Sequence, residues 1–587
     1  IRVVKGAAGA RYGPDAIGGV LLVAPPPLRD TPGVEGKALF TGSLNGPGAY
    51  AAARVDAVPT GAELLSLRVE GNLRRAASTR TPDYVLGNTA LFTWNAGAAI
   101  RYGTDATHIR TTYRHYDLDA GVFFGVRGAV EELGVDPSPA QIARWGENRF
   151  AIDRPRQRVS HDRATVHLRR TTSAGTRLEA TYAFQLNRRR EFESIQFAFE
   201  GPEFDFTLYT NSLDLLVTHP AWSLAGLPVT GGIGAQGMVQ LNLYEGSTLL
   251  PNYRAYQAGL FAFERLEPSP SLAIELGWRL DWLSRTALLA GIDVARQEAE
   301  GNLDDDSIAE MCRQGEIRLR CPDAWRAASV SLGGVWEGLD ERLSVKLDLS
   351  SASRFPSADE QYLIGSAPTF PVWAIGDLSL GIETTLQAQT TLGLRLEAFE
   401  TEISGYASRS PNFIYFAPDR ADPLRTTLVG VVPQFRYSPI RASFLGADGA
   451  MTVGPQSPVA LRLAGAVVRA VDLDTQEFLV GVPPNRGSAT LIVKPPARFQ
   501  PELSLTVEGV TRRSAPPLDA DLLPPPPGYV LLSASAEIEV PLGRRTMTVA
   551  LDGFNLLDAR FREYASLLRY YADFPGRDVR LRVGVSL

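Results

Sequence analysis

At 587 residues, with 44% hydrophobic side chains, 21% charged side chains and a formal net charge of −6, the chain is too apolar for a disordered protein. It is also no bundle of membrane helices, since no run approaches the roughly 18 consecutive apolar residues that a spanning helix needs. The charge balance gives no sign of a nucleic-acid partner, and the length allows either several soluble domains or one very large sheet.

The opening, IRVVKGAAGARYGPDAIGGVLLVAPPP, reads as a strand at 1–4, a glycine-rich turn, a second apolar strand at 20–23 and a proline run. A phosphate-cradling loop is disfavoured there. The Gly-Lys-Ser/Thr ending is missing, and a strand rather than a helix follows. Further on, His108, His115, His161, His167 and His219 are scattered without metal-site spacing.

The clearest pattern begins at PSLAIELGWRLDWLS. Leu272, Ile274, Leu276, Trp278, Leu280 and Trp282 share one face, while Ala273, Glu275, Gly277, Arg279 and Asp281 share the other. This is a strand with an oily side and a wet side. Then come the only two cysteines, Cys312 and Cys321, in a charged, turn-like stretch; a local disulfide in an oxidising compartment is expected, with free thiols as the alternative. Zinc would want four ligands, and no histidine is near. The run Asp304–Asp305–Asp306 is read as a solvated face.

Alternation returns in ERLSVKLDLSS, where Leu343, Val345, Leu347 and Leu349 oppose Ser344, Lys346, Asp348 and Ser350. It returns in ELSLTVEG, in YVLLSASAEIEV and at the end, where Val579, Leu581, Val583, Val585 and Leu587 oppose Arg580, Arg582, Gly584 and Ser586. Strands of about ten residues suit a tilted membrane-spanning strand better than a soluble sandwich. Short turns are expected at 173–175, 284–286, 338–342 and 541–545, and long loops at 115–160, 187–212, 298–326 and 408–437. No blade-length repeat occurs. Mid-strand charges facing lipid would cost about 2–4 kcal/mol each, so Arg279, Asp281, Lys346, Asp348, Arg580 and Arg582 must face a watery lumen. A sheet in lipid must close on itself. The fold class is therefore an all-β antiparallel transmembrane barrel, at about 50 residues per hairpin some 22 strands. Trp278 and Trp282 are expected to form an aromatic girdle beside a short turn.

The aromatic–arginine segments YRHYDLDAGVFFGVR, SPNFIYFAPDR and FREYASLLRYYADF make Arg114, Tyr116, Phe123, Phe413, Tyr415, Arg569 and Tyr570, together with Arg354, candidates for a ligand-facing mouth. Arginine there would pair with anionic groups or stack on aromatic ones. The alternative is anchoring of loop bases at the interface.

With these residues in view, the opening resembles the end of the plug domain of TonB-dependent outer-membrane receptors. Lys5, Gly6, Tyr12, Gly13, Ala16, Ile17, Gly18, Gly19 and Val20 fit that pattern, with Ala7 in place of its proline. SRFPSADEQY (353–362) and GDLSLGIET (376–384, with Asp377, Leu378 and Glu383) look like two further family segments. VPPNRGSATL (482–491) resembles the entry to a late strand. Asn555, Asp558, Tyr564 and Pro575–Gly576–Arg577 sit where the family places its last hairpin, and the chain finishes on Leu587 where members usually have Phe or Trp.

The resemblance implies residues 1–28 as the end of a plug, 29–587 as the barrel, loop 556–576 outside and turn 541–545 inside. It implies a TonB box upstream of the chain given; without that upstream part a wide, leaky barrel is expected. It further implies a monomer in the outer membrane of a Gram-negative bacterium, partnered by membrane lipid, the TonB complex and a small extracellular ligand. A ferric siderophore leads, with cobalamin, another metal chelate or a glycan behind. Haem is disfavoured because 355–383 holds no histidine. No cofactor and no nucleic-acid partner are expected. A passive porin is the rival reading. No catalytic constellation is found, so an enzyme is not expected.

Overall fold

The computed structural model describes all residues except 1, 5–10, 15, 18, 124, 126–149, 194–200, 316–317, 429, 514–515, 518, 544 and 587. Lys5, Gly6, Gly18 and Leu587 therefore lie outside the described residues. A closed barrel of 22 antiparallel strands runs from Gly33–Ser43 to Asp578–Ser586, and these two strands pair with each other at the seam. Closure leaves no unpaired sheet edge. No helix among the described residues is long and apolar enough to cross a membrane.

The alternation places the outer surface as expected. Leu276, Leu347 and Leu581 stand outward with about half of their surface exposed. The strands differ from expectation in length. Those near the seam keep to about ten residues, but Phe204–Leu224 has 21 and Gly430–Val453 has 24. Leu272–Leu289 is one continuous strand of 18 residues, so 284–286 is not a turn. The reason is visible in its outward positions, which are apolar up to Trp282 and then become Ser284 and Thr286. The backbone ladder continues after the strand leaves hydrocarbon, whereas the alternation that marks it does not. From Leu272 to Trp282 the oily stripe stands about 25 Å tall at the usual rise and tilt, the height of a bilayer's apolar band. Trp282 thus closes the stripe at the long-loop rim, not beside a short turn. Trp336, directly opposite Leu272 and outward, holds the short-turn rim instead. By the same extension, most of 187–212 and 408–437 is strand rather than loop.

Of the inward charges, Arg279, Asp281 and Asp348 are packed, while Lys346, Arg580 and Arg582 keep about a third or more of their side chains in the open lumen. Arg279 and Asp281 are 2% and 1% exposed and form a two-pronged pair at 2.7 Å on each prong. Gly259 on the next strand leaves their space, since a Cβ there would stand 2.4 Å from Arg279 Nη2. Residues two apart on a strand share a face, so opposite signs at that spacing neutralise each other.

This wall makes a sharp expectation. Leu276→Arg should cost about 2–4 kcal/mol of folding free energy in lipid vesicles, while Leu276→Phe should be close to neutral. Urea unfolding in vesicles that gave both variants equal stability would remove Leu276 from the hydrocarbon.

Candidate functional site

The short strands Arg2–Val4 and Val20–Leu22 pair antiparallel ahead of the barrel. Between them Gly13 and Gly19 take φ of +119° and +125°, values that side chains resist. Gly13, Ala16 and Ile17 lie against Ser329, Ser331, Ser350 and Gln387 on the inner wall. The Arg11 guanidinium covers the Tyr12 ring at 5.7 Å and reaches Glu179 at 4.0 Å. The described part of the opening motif is thus inside the lumen. Where it leaves, Arg68 clasps the proline run. Only 4% exposed, Arg68 donates to the carbonyls of Pro26 at 2.8 Å and Pro27 at 2.7 Å, and pairs with Asp56 at 2.7 Å.

Beside this segment a luminal cavity of about 790 Å³ opens among the first strands and the last two. Its wall carries a charged rung. Lys37, Arg54, Glu70, Gly97, Arg114 and Arg163 oppose one another in turn across six adjacent strands. At normal strand spacing the row is about 24 Å long. Gly97 has a purpose here. Lacking a side chain, it lets Glu70 and Arg114 meet across its strand at 2.9 Å; a Cβ would stand 3.2–3.3 Å from both. Tyr116 and His161 line the same cavity one rung away. Four cations against one carboxylate give the rung itself a positive excess, with Asp56 beside Arg54 at 2.9 Å and Glu35 beside Lys37 at 3.9 Å one rung away.

At the long-loop end the mouth is covered by its own loops. Arg354 bridges the two segments noted in the sequence, pairing with Glu360 at 2.9 Å and Glu383 at 2.8 Å. Phe123, Val372, Phe435, Tyr570 and Tyr571 form one buried apolar cluster, joining loops from several sides of the barrel. Arg569 and Asp521, each about 3% exposed in their side chains, pair at 2.7 Å beneath it, and Tyr570 donates to the same carboxylate at 2.7 Å. Tyr84 accepts from the Asp573 amide at 2.9 Å, and Asp573 holds Arg560 and Arg562 at 2.7 and 2.6 Å.

Burial pushes the Tyr84 and Tyr564 phenols up to about 12 each from 10.0. A raised folded-state value favours the protonated phenol, so this contribution is complete below pH 10 and fades as pH climbs toward 12. The mouth loops should therefore loosen in that window before the barrel does. A phenolate absorbance titration showing all tyrosines ionising near 10, with no loop transition, would contradict this.

Of the eight candidate mouth residues, Arg114 and Tyr116 line the luminal cavity. Phe123, Arg569 and Tyr570 are turned into the loop core. Phe413 packs edge-on against Phe444 at 5.2 Å, and Tyr415 receives the Val480 amide at 2.6 Å. These side chains hold loops to one another, because aromatic rings in a crowded mouth bury more area against neighbours than against water. The C-terminal residues also brace the frame. Asn555 and Asp558 take φ of +45° and +53°; Asn555 Nδ2 reaches the Pro575 carbonyl at 3.4 Å. Asp558 receives the Arg577 amide at 2.7 Å, and a Cβ on Gly576 would meet it at 2.6 Å. Tyr564 donates to Asp521 at 3.3 Å. Cys312 and Cys321 are joined as a disulfide within the buried cluster under the loop helices Gly291–Ala299 and Asp305–Met311. Sequence reasoning missed Lys37, Arg54, Glu70 and Arg163. Their signal was present as charges at alternate positions of the early strands.

A profile described as "TonB dependent receptor-like, beta-barrel" matches residues 70–556. No curated protein matches by sequence. Among solved structures, the copper transporter OprC superposes with a TM-score of 0.74 at 14% identity, over 100% of this chain and 85% of that one. The ferric enterobactin receptor PfeA from Pseudomonas aeruginosa gives 0.72 at 15% identity, over 100% and 85%. The siderophore receptor PirA from Acinetobacter baumannii gives 0.71 at 13%, over 100% and 84%. At such identities the superpositions speak for the fold alone. The family match spans most of the chain, and with it comes the class of receptor and transporter rather than enzyme. The closed 22-strand barrel and that match together place the chain in the TonB-dependent receptor family.

Proposed function

We propose that this barrel is an outer-membrane receptor and active transporter for a scarce, anionic extracellular ligand, with a ferric siderophore as the leading substrate class. TonB, driven by the proton gradient, would act through the plug, of which residues 1–28 are the end. The observation that carries the ligand class is the luminal row of Lys37, Arg54, Arg114 and Arg163 with Glu70 as its one carboxylate. A low-dielectric wall of one sign concentrates counter-charged solutes at a cleft and speeds their capture. Guanidinium forks also match carboxylate and catecholate oxygens in pairs.

The test is growth of a deletion strain on a single iron source. Restoring the full-length gene should rescue growth on one anionic ferric chelate, and removing TonB should abolish the rescue. Rescue that persists without TonB would turn the reading toward a passive channel. Rescue confined to cobalamin or a neutral glycan would overturn the ligand class.

A further inference from the structure

The outer wall of strands Glu383–Arg395, Phe399–Pro418, Gly430–Val453 and Val459–Asp472 is oily, with Leu386, Ile403, Leu445 and Val467 each at least half exposed. At its long-loop edge the outward positions turn to arginine. Leu386, Arg409, Ser443, Val471 and Phe478 oppose one another along one rung. Arg469 stands opposite Leu445 one rung lower. Directly opposed side chains share a face, so Arg409 and Arg469 leave the barrel beside exposed leucines. Neither makes an ion pair among the described residues. Arg441, higher on this face, is held by Asp474 at 2.8 Å.

Arg513 joins them. Its guanidinium and that of Arg469 flank the Phe478 ring, at 5.9 and 5.1 Å from its centre. Arg513 is 7% exposed and donates from Nη1 to the Pro483 carbonyl at 3.3 Å and the Val468 carbonyl at 2.5 Å. Its Nε and Nη2 have no hydrogen-bond partner among the described residues. Burial without a carboxylate lowers its pKa. A cation that merely snorkelled to water would keep its donors solvated. A buried guanidinium with two donors idle among the described residues, sharing the Phe478 ring with Arg469, lacks its counter-charge there.

We propose that this edge, with Arg469 and Arg513 at Phe478 and Arg409 three strand steps along the same rung, binds the phosphate-bearing headgroup of an acylated lipid in the outer leaflet. Arginine's planar fork matches phosphate oxygens, and the leucine wall beneath takes the acyl chains. The height of the arginines, at the top of the oily stripe, fits a molecule with charge above and hydrocarbon below. The proposal rests on the outer-membrane reading given above.

The experiment is native mass spectrometry of the full chain in detergent. The probes are bisphosphorylated lipid A, the same lipid without phosphates, phosphatidylethanolamine and inorganic phosphate. The phosphorylated glycolipid should be retained and the dephosphorylated one lost. Arg409→Gln with Arg469→Gln should weaken retention roughly thirtyfold, at about 1 kcal/mol per arginine. Both positions are exposed, and heat-modifiable gel migration checks that the pair still folds; Arg513→Gln is the third variant. Equal retention of the dephosphorylated lipid, unchanged binding in the folded double variant, or saturation by inorganic phosphate alone would each overturn the proposal. A chain that never enters lipid vesicles would remove the membrane reading as well, which separates the two failures.

Discussion

Replacing Arg54, Arg114 and Arg163 together by glutamine is expected to lower uptake of an anionic ferric chelate by about ten- to a hundredfold in the full-length protein, with uptake of a neutral chelate barely changed. The three guanidiniums stand on one luminal rung about 5 Å apart per strand step, and Arg163 makes no ion pair among the described residues. Removing them leaves one cation, Lys37, and one carboxylate, Glu70, on that rung, so its positive excess is lost. Electrostatic focusing of this kind alters capture rates by about one to three orders of magnitude and weakens with salt. The loss should therefore shrink at high ionic strength. Radiolabelled uptake at two salt concentrations measures it. If neutral and anionic chelates fell together, the row would be a structural element rather than a ligand-facing one.

Breaking the pair beneath the mouth should have the second large effect. In Arg569→Met the Asp521 carboxylate stays buried with its counter-charge gone, a situation that typically costs about 3–5 kcal/mol. The barrel ladder does not run through this pair, so the cost should fall on loops 511–528 and 556–576. Hydrogen exchange there is expected to rise by orders of magnitude while the strands stay protected. The double variant Arg569→Met with Asp521→Leu should recover much of the loss, because no charge is then stranded. Unchanged loop exchange in Arg569→Met would show that the apolar cluster of Phe123, Phe435 and Tyr570 closes the mouth unaided.

How far the sequence revealed this architecture follows from what period two reports. It marks where one face meets oil, and for Leu272–Trp282, Leu343–Leu349 and Val579–Val585 it located the spanning strands and their inner and outer faces. It is silent once both faces meet water, which is why Ser284–Thr286 was read as a turn. Strand number was accessible because chain length per hairpin is set by bilayer thickness. The site was less accessible. Arg114 and Tyr116 were identified by composition, but their neighbours Lys37, Arg54 and Arg163 come from strands far apart in sequence and meet only through register. Aromatic content alone could not separate a ring that faces a ligand from one that props a loop. Phe413, Tyr415 and Tyr570 are of the second kind. Of the plug-end resemblance, Gly13 and Ile17 lie against the inner wall, Tyr12 and Gly19 are among the described residues, and Lys5, Gly6 and Gly18 fall outside them.

The seam has a consequence for how such a molecule can be made. Ser586 pairs with Lys37, and Ser43 donates to Asp578 at 3.0 Å, so the earliest strand waits for the latest. The cylinder cannot close before Asp578–Ser586 has left the ribosome. Until then two bare edges invite pairing with strangers. A chain organised this way needs escorts across the aqueous compartment, and deleting its last nine residues should cause aggregation rather than a smaller barrel.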